Sequence, residues 1–394
     1  MSRSTVDRRR FLTLTGGATV GLVGGLGQGC GSSSGVSPVI EGPANPPRSG
    51  GADEPPVFVP KVNGGINLHP VRRLDQDPHE REPRIVPELV ALQMRAAYEL
   101  GFDGIRITAP GGDRANFLGA IPYVRAARAL GIDAVVVLAN FEGLTLARAL
   151  WDPRQRPRVL ALYDEVLATP PAPAAPGAGG LGPGGVGRVA FQVLNEPALF
   201  VGVPPAVYVH EILEPCTTEI HGLNPQIIVV GAAEVGTLDG PPRMRAMLEA
   251  GLEVACDRVA YHIYSRQVIE RLSFNVRRLV WITESGTAGT AGHLSWVRDT
   301  FQEIRATIGD VSRIFYYDLY DEEPGRYRLI DLQQSGSTYR AVVESADLYA
   351  YFARKVRDEA AGRPLLPFET LIPDIRVYLP TAADVAAYDE VFAS

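Results

Sequence analysis

The sequence predicts an α/β fold of one kind, a closed (β/α)8 TIM barrel, and three observations predict it. Short, continuously apolar, β-branched runs recur eight times over roughly 300 residues, the length such a barrel needs. Helix-patterned stretches separate them, several closed by a glycine suited to a helix C-terminus. Runs apolar on both faces that alternate with helices belong to a parallel sheet covered by helices. The first run is not followed by a Gly-x-Gly-x-x-Gly turn, which favours a closed barrel over a doubly wound sheet.

The elements follow in order. The first run is GGINLH, Gly64 to His69, with the helix pattern PELVALQMRAAYELG after it. The second, GIRIT from Gly104 to Thr108, carries Arg106 and leads into AIPYVRAARALG. The third is AVVVLA, Ala134 to Ala139, followed by RPRVLALYDEVL. The fourth, VAFQVLN from Val189 to Asn195, is reached through the Pro/Gly/Ala-rich stretch Thr169 to Gly187. That stretch reads as a surface insertion, because the same strand-helix rhythm continues on both sides of it. IIVVGA (Ile227 to Ala232), VAYHIY (Val259 to Tyr264), LVWITE (Leu279 to Glu284) and RIFYYDL (Arg313 to Leu319) complete the set, with MRAMLEAGLEV as the helix after the fifth. The barrel is expected over residues 57–362, with residues 363–394 as a C-terminal extension packing on it or trailing it.

The chain opens differently. Arg8, Arg9 and Arg10 precede a Gly-diluted apolar run that is short of the roughly 20 residues a spanning helix needs. This resembles a twin-arginine export signal over residues 1–30, and implies a periplasmic or cell-surface protein. The run ends in LGQGC, which resembles a lipoprotein processing site with Cys30 as the lipidated residue and the sole membrane anchor. Residues 31–56, rich in Gly, Ser and Pro, read as a flexible tether. Cys216 and Cys256 remain, and read as small core residues.

A net charge of −7 argues against a nucleic-acid or anionic-membrane partner, since a polyanion requires a basic face. Neutral substrates fit better, and a monomer is expected.

The chemistry sits where strands end, at the C-terminal mouth of the barrel. Asn195, Glu196 and Pro197 end the fourth run, where Pro197 is expected to stop the ladder and hold its neighbour extended. Glu284 ends the seventh. Two carboxylates facing each other across a barrel mouth suit glycosidic bond cleavage, one protonated to assist the leaving group and one ionised to attack the anomeric carbon. A lone strand-end glutamate would be a solvated or capping carboxylate; the matched pair is what carries the inference. A separation of about 5 to 5.5 Å is expected for retention of configuration.

Over about residues 62 to 355 the chain resembles clan A of the glycoside hydrolases, retaining (β/α)8 enzymes that include cellulase family 5 and β-xylosidase family 39. The resemblance implies cleavage of β-glycosidic bonds in an oligo- or polysaccharide with Glu196 as acid/base and Glu284 as nucleophile. It implies that Asn195 contacts the sugar 2-hydroxyl, that Arg106 braces the nucleophile and that Tyr264 hydrogen-bonds it. His262, two residues before Tyr264 and so on the same strand face, is placed in the substrate site, as are Asn67 and Tyr317. YRLIDLQQSGSTYRAV, Tyr327 to Val342, looks like the passage from the eighth strand into the last helix.

The sequence also departs from that clan. Tyr316, Tyr317 and Tyr320 stand where many members put a strand-eight Trp, and the usual strand-three Asp-x-His is absent. These departures leave the family and the sugar open. Only Trp151, Trp281 and Trp296 are available to pave a polysaccharide groove. A metal-dependent barrel hydrolase would want two histidines spaced two apart on the first strand, where His69 stands alone, so neither a metal nor a cofactor is expected. An inactive glycan-binding barrel and a transglycosylase using the same residues are the alternatives.

Overall fold

Eight parallel strands form one sheet whose two edges meet: β1 (Asn63–Leu68), β2 (Phe102–Ile107), β3 (Asp133–Leu138), β4 (Val189–Val193), β5 (Ile228–Val230), β6 (Val259–Ile263), β7 (Val280–Ser285) and β8 (Val311–Tyr316). The spatial order is β5-β4-β3-β2-β1-β8-β7-β6. A parallel bridge between Val230 and Arg258 joins the free edges, and the Gly231 N–H donates to the Arg258 carbonyl at 3.0 Å. The expected TIM barrel is therefore the observed one. The computed structural model describes residues 39–40, 57–70, 85–107, 114–138, 145–169, 186–320 and 326–392. The expected export signal, Cys30, most of the 31–56 tether and residues 170–185 of the insertion lie outside the described residues.

Strand alternation explains how one barrel holds both a dry core and a polar site. Successive side chains along a strand point to opposite faces. Inside the barrel, Val135, Ala190, Val230, Ala233, Ala260, Trp281 and Phe315 form an apolar cluster separate from the larger one under the helices. Two residues further along the same strands the inward positions turn polar: Gln192 follows Ala190 on β4, and His262 follows Ala260 on β6. The lumen is thus plugged beneath a polar mouth. Gly65 is part of the plug, because a Cβ there would lie 2.0 Å from the Phe315 ring. At the opposite end Arg313 lies over Trp281, 5.2 Å from the ring centroid, and binds Asp133 at 3.0 Å.

Three details differ from the sequence reading or extend it. The segment expected to run from the eighth strand into the last helix is a β-hairpin, β9 (Ile330–Ser335) with β10 (Thr338–Val343), and Val39–Ile40 pairs with its outer strand. Its turn is set by Gly336 at φ 61°, a value the glycine backbone reaches freely. Second, Glu196 is not extended: its φ and ψ are 45° and 57°, and Pro197 opens a short helical turn, Pro197–Phe200. Pro suits a first helical position, where a missing N–H costs nothing. Third, the final helix, Ala382–Phe392, packs against the barrel helices, with Asp384 bound to Arg125 at 2.8 Å and Tyr388 against Phe117. Cys216 and Cys256 are free and buried, and burial pushes both thiols up to about 12.

Gly65→Ala forces a methyl group into the space of the Phe315 ring. Overpacking of this kind costs about 1–3 kcal/mol, so the denaturant midpoint is expected to fall by that equivalent; an unchanged midpoint contradicts the plug as described.

Candidate active site

Two local irregularities aim the two glutamates. On β7 the pairing with β6 skips from Tyr261–Ile282 to His262–Glu284, a β-bulge. Trp281 points into the lumen, and strict alternation would send Glu284, three residues on, outward. The extra residue turns it in, as bulges beside functional sites commonly do. On β4 the chain leaves the sheet through Leu194 at φ 63° and Glu196 at φ 45°, both left-handed. Such a conformation in a non-glycine residue costs about 1–3 kcal/mol and persists where surrounding contacts fix it. It lets the consecutive residues Asn195 and Glu196 both serve the mouth.

Arg106 stands at the centre and is fully buried. Its Nη1 donates to Glu284 Oε1 at 2.7 Å and to Asn67 Oδ1 at 2.8 Å. Nη2 donates to Asn195 Oδ1 at 2.8 Å, and Nε to Gln192 Oε1 at 2.9 Å. Asn67 in turn donates to the carbonyls of Thr283 and Tyr316, at 3.1 and 3.3 Å, which locks β1 to β7 and β8. The Tyr264 hydroxyl donates to Glu284 Oε2 at 2.6 Å. His262, also buried, places Nδ1 2.9 Å from Glu196 Oε1 and Nε2 3.6 Å from Glu284 Oε1.

Glu284 is consequently a carboxylate. Burial alone would raise its pKa, but the charges of His262 and Arg106 and the hydrogen bonds from Tyr264 and Arg106 outweigh it and lower it to about 2. The Tyr264 hydroxyl is pushed well up, by burial first and by the Glu284 charge next.

Glu196, His262 and Glu284 each offer a ligand atom, all within 4.8 Å of one another. Three such groups could in principle hold a cation. Here both Glu284 oxygens already accept charged or short hydrogen bonds, and the Arg106 guanidinium lies against the same carboxylate. The donor set suits an organic substrate better than an added positive charge.

The structure thus gathers Asn67, Arg106, Asn195, Glu196, His262, Tyr264 and Glu284 at one mouth. Tyr317 lines it through edge-on contacts with Tyr264 at 5.8 Å and His69 at 5.6 Å. Cys30 is not among the described residues. Gln192, Asp318 and Tyr327 join the site without having been singled out, and His69, weighed above only as a metal ligand, joins it too. Gln192 had a signal, as the one polar residue inside a buried apolar strand, which is an informative position. His69 Nε2 lies 3.1 Å from the buried Asp318, and Tyr327 packs on Tyr264 at 5.7 Å, contacts across strands that no local pattern announces.

No family model matches the sequence, and no curated protein does. Among solved structures, the endo-β-1,4-mannanase from Thermotoga petrophila is similar at 13% identity and a TM-score of 0.45, over 75% of this chain and 77% of that one. A GH2 β-galacturonidase from Eisenbergiella tayi matches at 12% identity and 0.47, over 76% of this chain and 52% of that one, about half its length. Cel5A from Thermotoga maritima, solved with cellobiose, matches at 17% identity and 0.44, over 68% and 91%. Likeness of this size decides neither activity nor substrate.

Arg106→Met leaves Glu284 without its guanidinium and takes one donor from each of three amide oxygens, of which Asn195 Oδ1 keeps its bond from Gln192. Removing one member of a buried ion pair costs about 3–5 kcal/mol, the expected loss of stability near neutral pH. Because the folded Glu284 titrates below its unfolded value, its contribution is present above the ordinary carboxylate range and is lost as pH falls toward 2. Carbon-13 NMR of the Glu284 carboxyl is expected to show a low titration in the wild type and a higher one in Arg106→Met; an ordinary titration in the wild type contradicts the network.

Proposed function

We propose that this barrel is a retaining glycoside hydrolase acting on β-glycosidic bonds, with Glu284 as nucleophile and Glu196 as acid/base. One observation carries the reading: two buried glutamate carboxylates face each other at the barrel mouth with oxygens within 4.8 Å. Inverting enzymes hold their carboxyl groups about 6.5–9.5 Å apart to admit a water, and retaining ones about 5–5.5 Å. The short separation supports attack by the carboxylate itself.

In this reading Glu284, held ionised by Arg106 and oriented by Tyr264, attacks the anomeric carbon while Glu196 gives its proton to the departing oxygen. A glycosyl ester on Glu284 results. Glu196, now a carboxylate hydrogen-bonded to His262, takes a proton from water, which displaces Glu284 and restores both groups. Asn195 turns Oδ1 to Arg106 and Gln192, so its amide N–H is the donor directed to a sugar hydroxyl. A sugar hydroxyl that accepts instead of water in the second step makes the same site a transglycosylase. We further propose that the protein is exported through its twin-arginine leader and tethered by lipidated Cys30, on the order of those features in the sequence.

Glu284→Gln is expected to abolish turnover of every glycoside, whatever its leaving group. Glu196→Ala is expected to form the intermediate from an aryl glycoside with a good leaving group, then stall, and to recover with azide as a glycosyl azide of unchanged anomeric configuration. Azide rescue of Glu284→Ala in place of Glu196→Ala reverses the roles, and a panel of aryl glycosides and polysaccharides untouched by the wild type favours the glycan-binding alternative. Metabolic labelling with a fatty acid is expected to tag the wild type and not Cys30→Ala; no label on either rejects the lipid anchor and leaves export standing.

A further inference from the structure

A third glutamate lies behind the first two. Glu234 follows β5, four residues past Val230, and is 1% exposed. Its Oε1 accepts the Ala198 N–H at 3.1 Å, in the helical turn that begins directly after Glu196. The carbonyl of the preceding residue, Ala233, accepts the N–H of Glu196 itself at 2.9 Å. Two consecutive residues after β5 therefore grip the chain at Glu196 and just beyond it. Glu196 is left-handed, a conformation that persists only when neighbours fix it. These two contacts supply that constraint.

The other oxygen of Glu234, Oε2, is buried and makes no hydrogen bond among the described residues, and Arg243 comes no nearer than 3.8 Å. The charged and titratable groups that face this carboxyl are Arg243, Glu196, His262 and the Tyr208 hydroxyl. Burial pushes its pKa up to about 7; the Ala198 N–H and Arg243 pull the other way, the Glu196 charge adds to the rise and His262 opposes it. A buried carboxylate with only a distant cation is costly in its charged form, so this group is not held in place by its charge and its contact with the Ala198 N–H is what fixes it.

We propose that Glu234 is a positioning residue for Glu196: its carboxyl clamps the turn that aims the Glu196 side chain. The inference rests on Glu196 being the acid/base. A glutamine in its place keeps the oxygen that accepts from Ala198 and removes the charge. An alanine removes both.

Two measurements on the full chain test this, with circular dichroism confirming that each variant is folded. In kinetics on an aryl glycoside, Glu234→Ala is expected to lower kcat by about 10-fold or more with little change in KM, and Glu234→Gln, which keeps the acceptor for the Ala198 N–H, is expected to recover most of that loss. The second measurement needs no substrate: hydrogen exchange of the Ala198 amide, followed by NMR, is expected to speed up in Glu234→Ala and to stay slow in Glu234→Gln. Exchange at Ala198 unchanged by Glu234→Ala overturns the proposal, as does a Glu234→Ala enzyme with the wild-type kcat. A wild type that cleaves no glycoside overturns the hydrolase reading instead, and exchange at Ala198 still decides whether Glu234 clamps the turn. Glu234→Met, which removes the acceptor and keeps the bulk, carries the same test if Glu234→Ala fails to fold.

Discussion

The buried ion pair between Arg106 and Glu284 is the interaction on which the rest of the site depends. A guanidinium enclosed by protein is tolerated where its fork of donors is satisfied, and here it reaches Glu284, Asn67, and the pair Asn195 and Gln192 on three different chain segments. Each of those partners is placed by the guanidinium and in turn justifies its burial. A lysine could not substitute, since a single ammonium cannot span that fan of acceptors. The pair also sets the chemistry, because it holds Glu284 ionised in a place where burial alone would have protonated it.

What makes this burial possible is the layer below. Trp281, Phe315 and the small residues Ala190 and Ala260 fill the lumen beneath the polar layer. The low-dielectric floor strengthens the hydrogen bonds above it. Period-two alternation supplies both layers from the same strands, and a strand of a given register cannot offer one without the other. Gly65 and Phe315 show the coupling: a glycine on β1 exists to admit a ring on β8, and that ring floors the site.

Much of this was legible in the sequence, and the parts that were not share a cause. Arg106, Glu196 and Glu284 stand out because each interrupts or ends an apolar run whose neighbours are buried. The alternation that put His262 and Tyr264 on one face needed nothing beyond counting. The bulge that turns Glu284 inward and the left-handed backbone at Leu194 and Glu196 were hidden, since both are imposed by pairing with other strands and not by local residue preference. Pro197 misled for the same reason: its preference for an extended neighbour yielded to the tie from Ala233. The β9–β10 hairpin was missed although the turn residues SGST, Ser335 to Thr338, sit between two alternating runs that point to a hairpin. Glu234 had no signal except its place after a strand, and its contact with Ala198 exists only in the folded chain.

The central claim is that Glu284 becomes covalently bonded to the sugar. Intact mass spectrometry and peptide mapping after incubation with a panel of activated 2-deoxy-2-fluoro-β-glycosides address it directly, because the fluorine slows breakdown of the intermediate. The account predicts one added glycosyl group per chain, on the peptide that contains Glu284. An adduct on Glu196, or no adduct on a wild type that hydrolyses the parent glycoside, contradicts it.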